Sequence, residues 1–192
     1  MPPRSKFTRE EMVSAALDIT REEGIDALTA RALAGRLGSS ARPIFTVFDS
    51  MDEVSAAVVD AAKAEYSEYV ERGLGEAIAF KGVGTAYIRF AAERSKLFML
   101  LFMRERGDVP SAETVIGAID DNWEKILGSI VDAYGLDRDV AKRLYRHLWI
   151  YTHGIATLIA TNVCTFTPDE ISQMLTAVFA SLMAKIKTGD EI

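Results

Sequence analysis

Three arginines, Arg31, Arg36 and Arg42, stand in a stretch with no acidic residue between Asp26 and Asp49. The chain as a whole is acidic, with 22 Lys and Arg against 28 Asp and Glu and a net charge of −6. Residues 1–48 nevertheless balance at +1, leaving −7 for the remainder. A local basic window suits contact with a polyanion, while the acid elsewhere excludes a whole-surface nucleic-acid glove. The other side chains of the window fit the same task. Arg42 has the fork that matches a guanine edge. Thr29 and Ser40 can cap helices and also reach phosphates, as Arg31 can. Ala41, Phe45 and Thr46 complete a face that would meet a duplex, with Phe45 against its edge or against the first helix.

Other chemistry is sparse. His147 and His153 are six apart and do not share a helical face as residues four apart would, so no metal site is expected. Asp120 and Asp121 are adjacent and diverge around a helix. No Gly-rich phosphate loop, nucleophile elbow or His-Glu zinc pair occurs, so neither an enzyme nor a cofactor is expected. The single Cys164 forms no internal disulfide, which fits a reducing compartment. Tyr87, Phe90, Phe98, Phe102, Trp123, Trp149 and His153 are candidates to line an apolar ligand pocket with polar tips. The same residue types at helical spacing also build ordinary cores, and both readings stand.

The elements that must position these residues are helices. Composition is 49% hydrophobic and 26% charged, ordinary for a soluble protein with a sizeable core. No sustained alternation or hairpin turn marks a strand. Thr8 and Glu11 form a capping box ahead of a helix over 9–23, with Gly24 as its stop. Thr29 caps a short second helix that ends at Gly38. Ser40 caps a third beginning at Ala41, with Pro43 tolerated in the first turn. Further helices are predicted over 52–72, 76–94, 96–106, 111–134, 137–163 and 168–187, about nine in all. Thr167-Pro168-Asp169-Glu170 is a strong start signal for the last. The most apolar stretch, Ile150 to Val163, is broken by polar residues and falls short of the ~18 apolar residues of a membrane span. The opening MPPRSKFTREE lacks an apolar signal region, so a cytoplasmic location is expected.

Long, short, short, with a Gly-containing turn between the second and third, describes a helix-turn-helix. Residues 8–54 resemble the DNA-binding domain of the tetracycline-repressor (TetR) family. The likeness runs through Ala15-Ala16-Leu17, Gly24, Leu28-Thr29, Leu33-Ala34, Leu37-Gly38-Ser39-Ser40, Ile44-Phe45, Phe48, Ser50 and Asp52-Glu53-Val54. The segment Leu148 to Gly154 is similar to a Trp…His-Gly stretch in some branches of that family. The resemblance implies an all-α chain: a DNA-binding domain over 1–51 and a larger helical effector-binding and dimerisation domain over 52–192. It implies a transcriptional regulator, typically a repressor, that binds double-stranded operator DNA and is released by a small-molecule effector. It also implies a homodimer built from helices 137–163 and 168–187. The family usually has glycine at the position of Arg42, tyrosine at Phe45, histidine at Val47 and lysine at Met51. Arg42, with the N-terminal Arg4 and Lys6, is placed to make up the lost phosphate contacts. The rival reading is a helical protein-interaction module that binds no DNA.

Overall fold

The computed structural model describes residues 6–105 and 107–192. Among these there are nine α-helices, two short 3₁₀ turns and no strand. Arg4 lies outside the described residues. The described chain forms two compact units: one of the residues up to Tyr66 with Arg94–Arg104, the other of Ser67–Glu93 with Glu105–Ile192.

In the first unit, α1 (Arg9–Glu23) begins at the expected capping box: Glu11 N–H donates to Thr8 Oγ1 at 3.1 Å, and Thr8 N–H to the Glu11 carboxylate at 2.8 Å. The box satisfies two of the orphan donors that every helix start leaves. Met12, Ala16 and Ile19 follow on one buried face. Gly24 stops the helix at φ 95°, a region that only glycine enters at little cost. A 3₁₀ turn at Ile25–Ala27, unforeseen in the sequence, leads to α2 (Ala30–Arg36). Thr29 caps α2 by accepting from Ala32 N–H at 3.1 Å. Gly38, at φ 60°, turns the chain into the next segment.

The third helix expected from Ala41 does not form as an α-helix. A 3₁₀ turn at Ile44–Thr46 stands there, with Pro43 rather than Ser40 at its cap position. Pro43 disfavours the helical region for Arg42, and the backbone bonds here reach three residues back rather than four, from Ile44 N–H to the Ala41 carbonyl at 3.1 Å, from Thr46 N–H to the Pro43 carbonyl at 3.2 Å and from Val47 N–H to the Ile44 carbonyl at 3.0 Å. The Thr46 hydroxyl also donates to the Pro43 carbonyl at 2.6 Å, tightening the turn locally. Ile44 and Phe48 are buried and anchor the segment. Helix α3 (Met51–Leu74) follows, capped by Ser50, which accepts from Glu53 N–H at 3.2 Å. Val54, Val58 and Ala62 bury one face of α3, at the i, i+4, i+8 spacing of a helix in a core.

The chain returns to this unit in α5 (Ser95–Phe102), which packs against α1 and buries Leu97 and Phe98. Each such fully buried side chain contributes about 1.5–3 kcal/mol. Glu65 of α3 accepts from Arg21 of α1 at 2.8 Å and from Arg94, just before α5, at 2.5 Å. One carboxylate thus ties three segments of the unit.

The second unit is built on α4 (Ala79–Glu93) packed along α8 (Arg138–Ala160), with α7 (Trp123–Tyr134) and α9 (Pro168–Thr188) against the pair. Val83, Ala86, Tyr87 and Phe90 are buried on α4, and Leu144, Leu148 and Ile155 on α8. The end of α3 and the start of α4 cross at glycines. A Cβ on Gly82 would lie 2.2 Å from the Gly73 carbonyl oxygen, so the two backbones touch with no room for a side chain. The second expected capping box also forms: Glu170 N–H donates to Thr167 Oγ1 at 3.2 Å, with Pro168 opening α9.

Four expected spans are corrected here: 76–94 begins only at Ala79, 96–106 ends at Phe102, and two more change as follows. The span 111–134 is two helices, α6 (Val115–Ile119) and α7, divided at Asp120–Asn122. The Asp120 carboxylate accepts from Asn122 N–H at 2.9 Å, a local turn that competes with the helix. The span 137–163 ends at Ala160. Asn162 takes φ 56°, and Val163 N–H reaches back to the Leu158 carbonyl, a left-handed stop in which asparagine replaces the usual glycine.

Candidate nucleic-acid interface

Six of the seven residues expected to meet DNA, Thr29, Arg31, Ser40, Arg42, Phe45 and Thr46, are exposed, and Ala41 is half-buried. Leu33, Ile44 and Phe48, interleaved with them in sequence, have almost no exposure, and α2 packs against α1. Phe45 points outward with 49% of its surface exposed, unusual for an aromatic residue whose neighbour Ile44 is fully buried.

The hydrogen bonds sort the candidates. The Thr29 oxygen accepts the α2 cap bond, which leaves its hydroxyl hydrogen able to donate to a phosphate. The Thr46 hydroxyl hydrogen is already used on Pro43, so Thr46 must break that bond to donate elsewhere. Ser40 is not the cap that the sequence implied. Arg31 and Arg42 are exposed and enter no ion pair among the described residues.

Arg36 differs. It lies opposite Glu22 of α1, with its two guanidinium nitrogens 3.1 and 2.5 Å from the two carboxylate oxygens. The hydrogen bond from Arg36 comes first in holding the Glu22 carboxyl below its ordinary value. Among the described residues, the basic window is therefore two cations outside any ion pair and one paired one. Glu22 lies fourteen residues earlier and reaches Arg36 only through the fold. Arg9, which sequence reasoning passed over, lies over the Phe48 ring at 4.9 Å and 3.6 Å from Glu53, bracing the turn from behind. Its place one residue after the Thr8 cap was the available signal.

Of the pocket candidates, Phe98 and Phe102 belong to the first unit, where Phe102 packs edge-on to Tyr66 at 5.0 Å and against Phe98 at 5.3 Å. Tyr87, Phe90, Trp123, Trp149 and His153 belong to the second. Three of these come together: the Tyr87 hydroxyl is 2.9 Å from His153 Nδ1, and Trp149 stacks on the His153 ring at 4.9 Å with 17° between the planes. Phe90 instead packs edge-on to Tyr69, and Trp123 lies against Gly117.

Burial, and next the charge of Asp120, push the Tyr87 hydroxyl well above its ordinary value, so it stays protonated and can donate. Burial pushes His153 below its ordinary value. A neutral imidazole that accepts at Nδ1 carries its hydrogen on Nε2. The Trp149 indole N–H is buried with no acceptor among the described residues. Asp120, buried in the same unit, was read only as a helix residue. Its signal lay in the Ile-Asp-Asp-Asn-Trp run, where short polar side chains favour a break.

Residues 80–183 match the family model described as tetracyclin repressor-like, C-terminal domain. A protein of Mycobacterium tuberculosis described as an uncharacterized HTH-type transcriptional regulator is 26% identical over 193 residues, covering 97% of this chain and 83% of that protein.

Proposed function

This chain belongs to the tetracycline-repressor-like family, and we propose that it is a DNA-binding transcriptional regulator: a sequence-specific repressor, not an enzyme, that leaves its operator when a small-molecule effector binds. Residues 1–51 read DNA, and residues 52–192 take the effector and dimerise. The observation that carries the reading is the exposure of Arg31 and Arg42, outside any ion pair among the described residues, beside an outward Phe45, on a scaffold with buried Leu33, Ile44 and Phe48. The similar mycobacterial regulator, named for a helix-turn-helix and matched along nearly the whole chain, supports it. DNA contacts come from Arg31 and Arg42 first, Thr29 and Ser40 next, and Phe45 and Thr46 at the duplex edge. Operator DNA places the protein in the cytoplasm; no described helix is long and apolar enough to cross a membrane.

The effector site centres on Tyr87, Trp149 and His153, where the unsatisfied indole N–H calls for a hydrogen-bond acceptor on the ligand. Release requires the effector to bind the non-binding geometry more tightly, whatever that ligand is. The homodimer forms through α8 and α9. Helix α9 is 21 residues long and buries only Leu175, leaving Met174, Val178, Phe179, Leu182 and Ile186 part-exposed, while Ile150 of α8 is 51% exposed. Apolar faces this incompletely covered suit a self-complementary interface.

Selection of duplexes from a random-sequence pool tests the proposal. A single enriched motif with dyad symmetry is the expected result. Failure to enrich any sequence would favour the rival, a helical protein-interaction module.

A further inference from the structure

Beside the Gly73–Gly82 crossing, the second unit holds a cleft of about 320 Å³. It is distinct from the Tyr87–Trp149–His153 cluster. Helix α3 offers Tyr69 and Arg72 to it, the turn after α3 offers Glu76, and α4 offers Lys81, Thr85 and Arg89. The α4 residues are four apart, so they stack on one helical face. Tyr69 and Arg72 lie three apart, on one face of α3. The glycine crossing brings the helices close enough for the two faces to converge, because neither glycine carries a Cβ that would wedge them apart.

The charges of the lining are three cations and one carboxylate, in a chain whose net charge is −6. A cleft with reversed sign concentrates anions against the field of the rest of the surface. The cations are held differently. The Arg72 guanidinium lies over the Tyr69 ring at 4.5 Å, with its Nε–H donating to the Glu68 carbonyl at 3.1 Å. Those contacts fix its plane and leave its terminal nitrogens unused among the described residues. Lys81 donates to Ser172 Oγ of α9 at 2.9 Å, which anchors one of its three donors. Arg89 is exposed and enters no ion pair among the described residues. The remaining walls are apolar: Ala77, Ala86 and Ile78, which is 55% exposed.

We propose that this cleft binds a small organic carboxylate with an apolar body, its carboxylate held by Arg89, Lys81 and Arg72 and its body laid against Ile78 and Ala86. A guanidinium matches a carboxylate in plane with two parallel hydrogen bonds. The volume lies at the small end of ligand sites, which span about 300–1,000 Å³. Glu76 limits the surplus to two positive charges, which suits a singly charged anion better than a polyphosphate. The apolar walls would gain nothing from an inorganic anion.

The test is calorimetric titration of the full chain with benzoate, phenylacetate and hexanoate, with benzamide and inorganic phosphate as the contrasts. At least one of the three carboxylates is expected to bind saturably and to shift the amide resonances of Gly73 and Gly82. Arg89→Gln and Lys81→Gln are each expected to weaken that binding by about tenfold, the loss of one charge-assisted contact. Tyr87→Phe is expected to leave it unchanged, which separates this cleft from the effector cluster. Circular dichroism of each variant establishes that it is folded. The proposal is overturned if none of the three carboxylates binds, if benzamide or phosphate binds equally well, or if folded Arg89→Gln and Lys81→Gln proteins bind as the parent does.

Discussion

The Tyr87 hydroxyl stands 2.9 Å from Nδ1 of His153, tying α4 to α8 inside the second unit. Burial holds the imidazole below its ordinary value. The unfolded chain, with a histidine near 6.5, therefore binds more protons than the folded chain in the window between the two values. Stability contributed by neutral His153 is complete above about 6.5 and declines as pH falls toward the lower folded value. Thermal melts from about pH 7.5 to about pH 5 are expected to show a steeper decline for the parent than for His153→Gln. Parallel curves would remove His153 from the account of this cluster.

The glycine crossing gives a paired prediction. Gly82→Ala puts a Cβ 2.2 Å from the Gly73 carbonyl oxygen and into the Glu76 side chain. The helices must separate, at a cost of about 1–3 kcal/mol or more. Gly84→Ala, two residues on, meets only the Leu175 side chain at 3.6 Å, an ordinary contact. It is expected to stabilise by up to about 1 kcal/mol through helix propensity. Urea denaturation of the two variants measures both signs.

Glu65 accepts from Arg21 and Arg94. Burial pushes its carboxyl up, but the hydrogen bonds from the two arginines outweigh this and hold it below its ordinary value. The resulting stability is present above the unfolded value of about 4.3 and is lost as pH falls through the folded one. Glu65→Gln is expected to cost about 1–3 kcal/mol at neutral pH, reduced from a fully buried value because the arginines are partly solvated. It should also flatten the acid limb of the stability profile, which denaturation at a series of pH values would reveal.

Each capping box contributes independently. Thr8→Ala and Thr167→Ala are each expected to cost about 1 kcal/mol, measured by denaturant midpoint at constant slope.

The helix starts were legible because capping chemistry is local: Thr8, Thr29 and Thr167 each act on a backbone N–H three residues on. Local competition was harder to read. A 3₁₀ turn tightened by the Thr46 hydroxyl stands where an α-helix was expected from Ala41, and Asp120 closed a turn inside the span 111–134, because a side chain that favours a turn does so without disturbing hydrophobic periodicity. Long-range pairing was not legible at all. Nothing near Arg36 marks Glu22 as its partner, and nothing in the Gly-rich end of α3 marks Gly82 as the backbone it touches. The pocket candidates shared helical spacing with core residues, and only tertiary packing divided them between the two units.

DNA binding is the central claim, and its salt dependence is its most direct measure. The duplex selected by the chain is titrated by fluorescence anisotropy across a range of salt, for the parent and for Arg31→Ala and Arg42→Ala. Affinity is expected to fall steeply with salt, with log K linear in log salt. An arginine that contacts phosphate is expected to reduce the slope by about 1 per contact when removed, and one that reads a base to cost about 1–3 kcal/mol with relaxed sequence preference. A salt-independent affinity, or one that both substitutions leave unchanged, would contradict the assignment of this face to DNA.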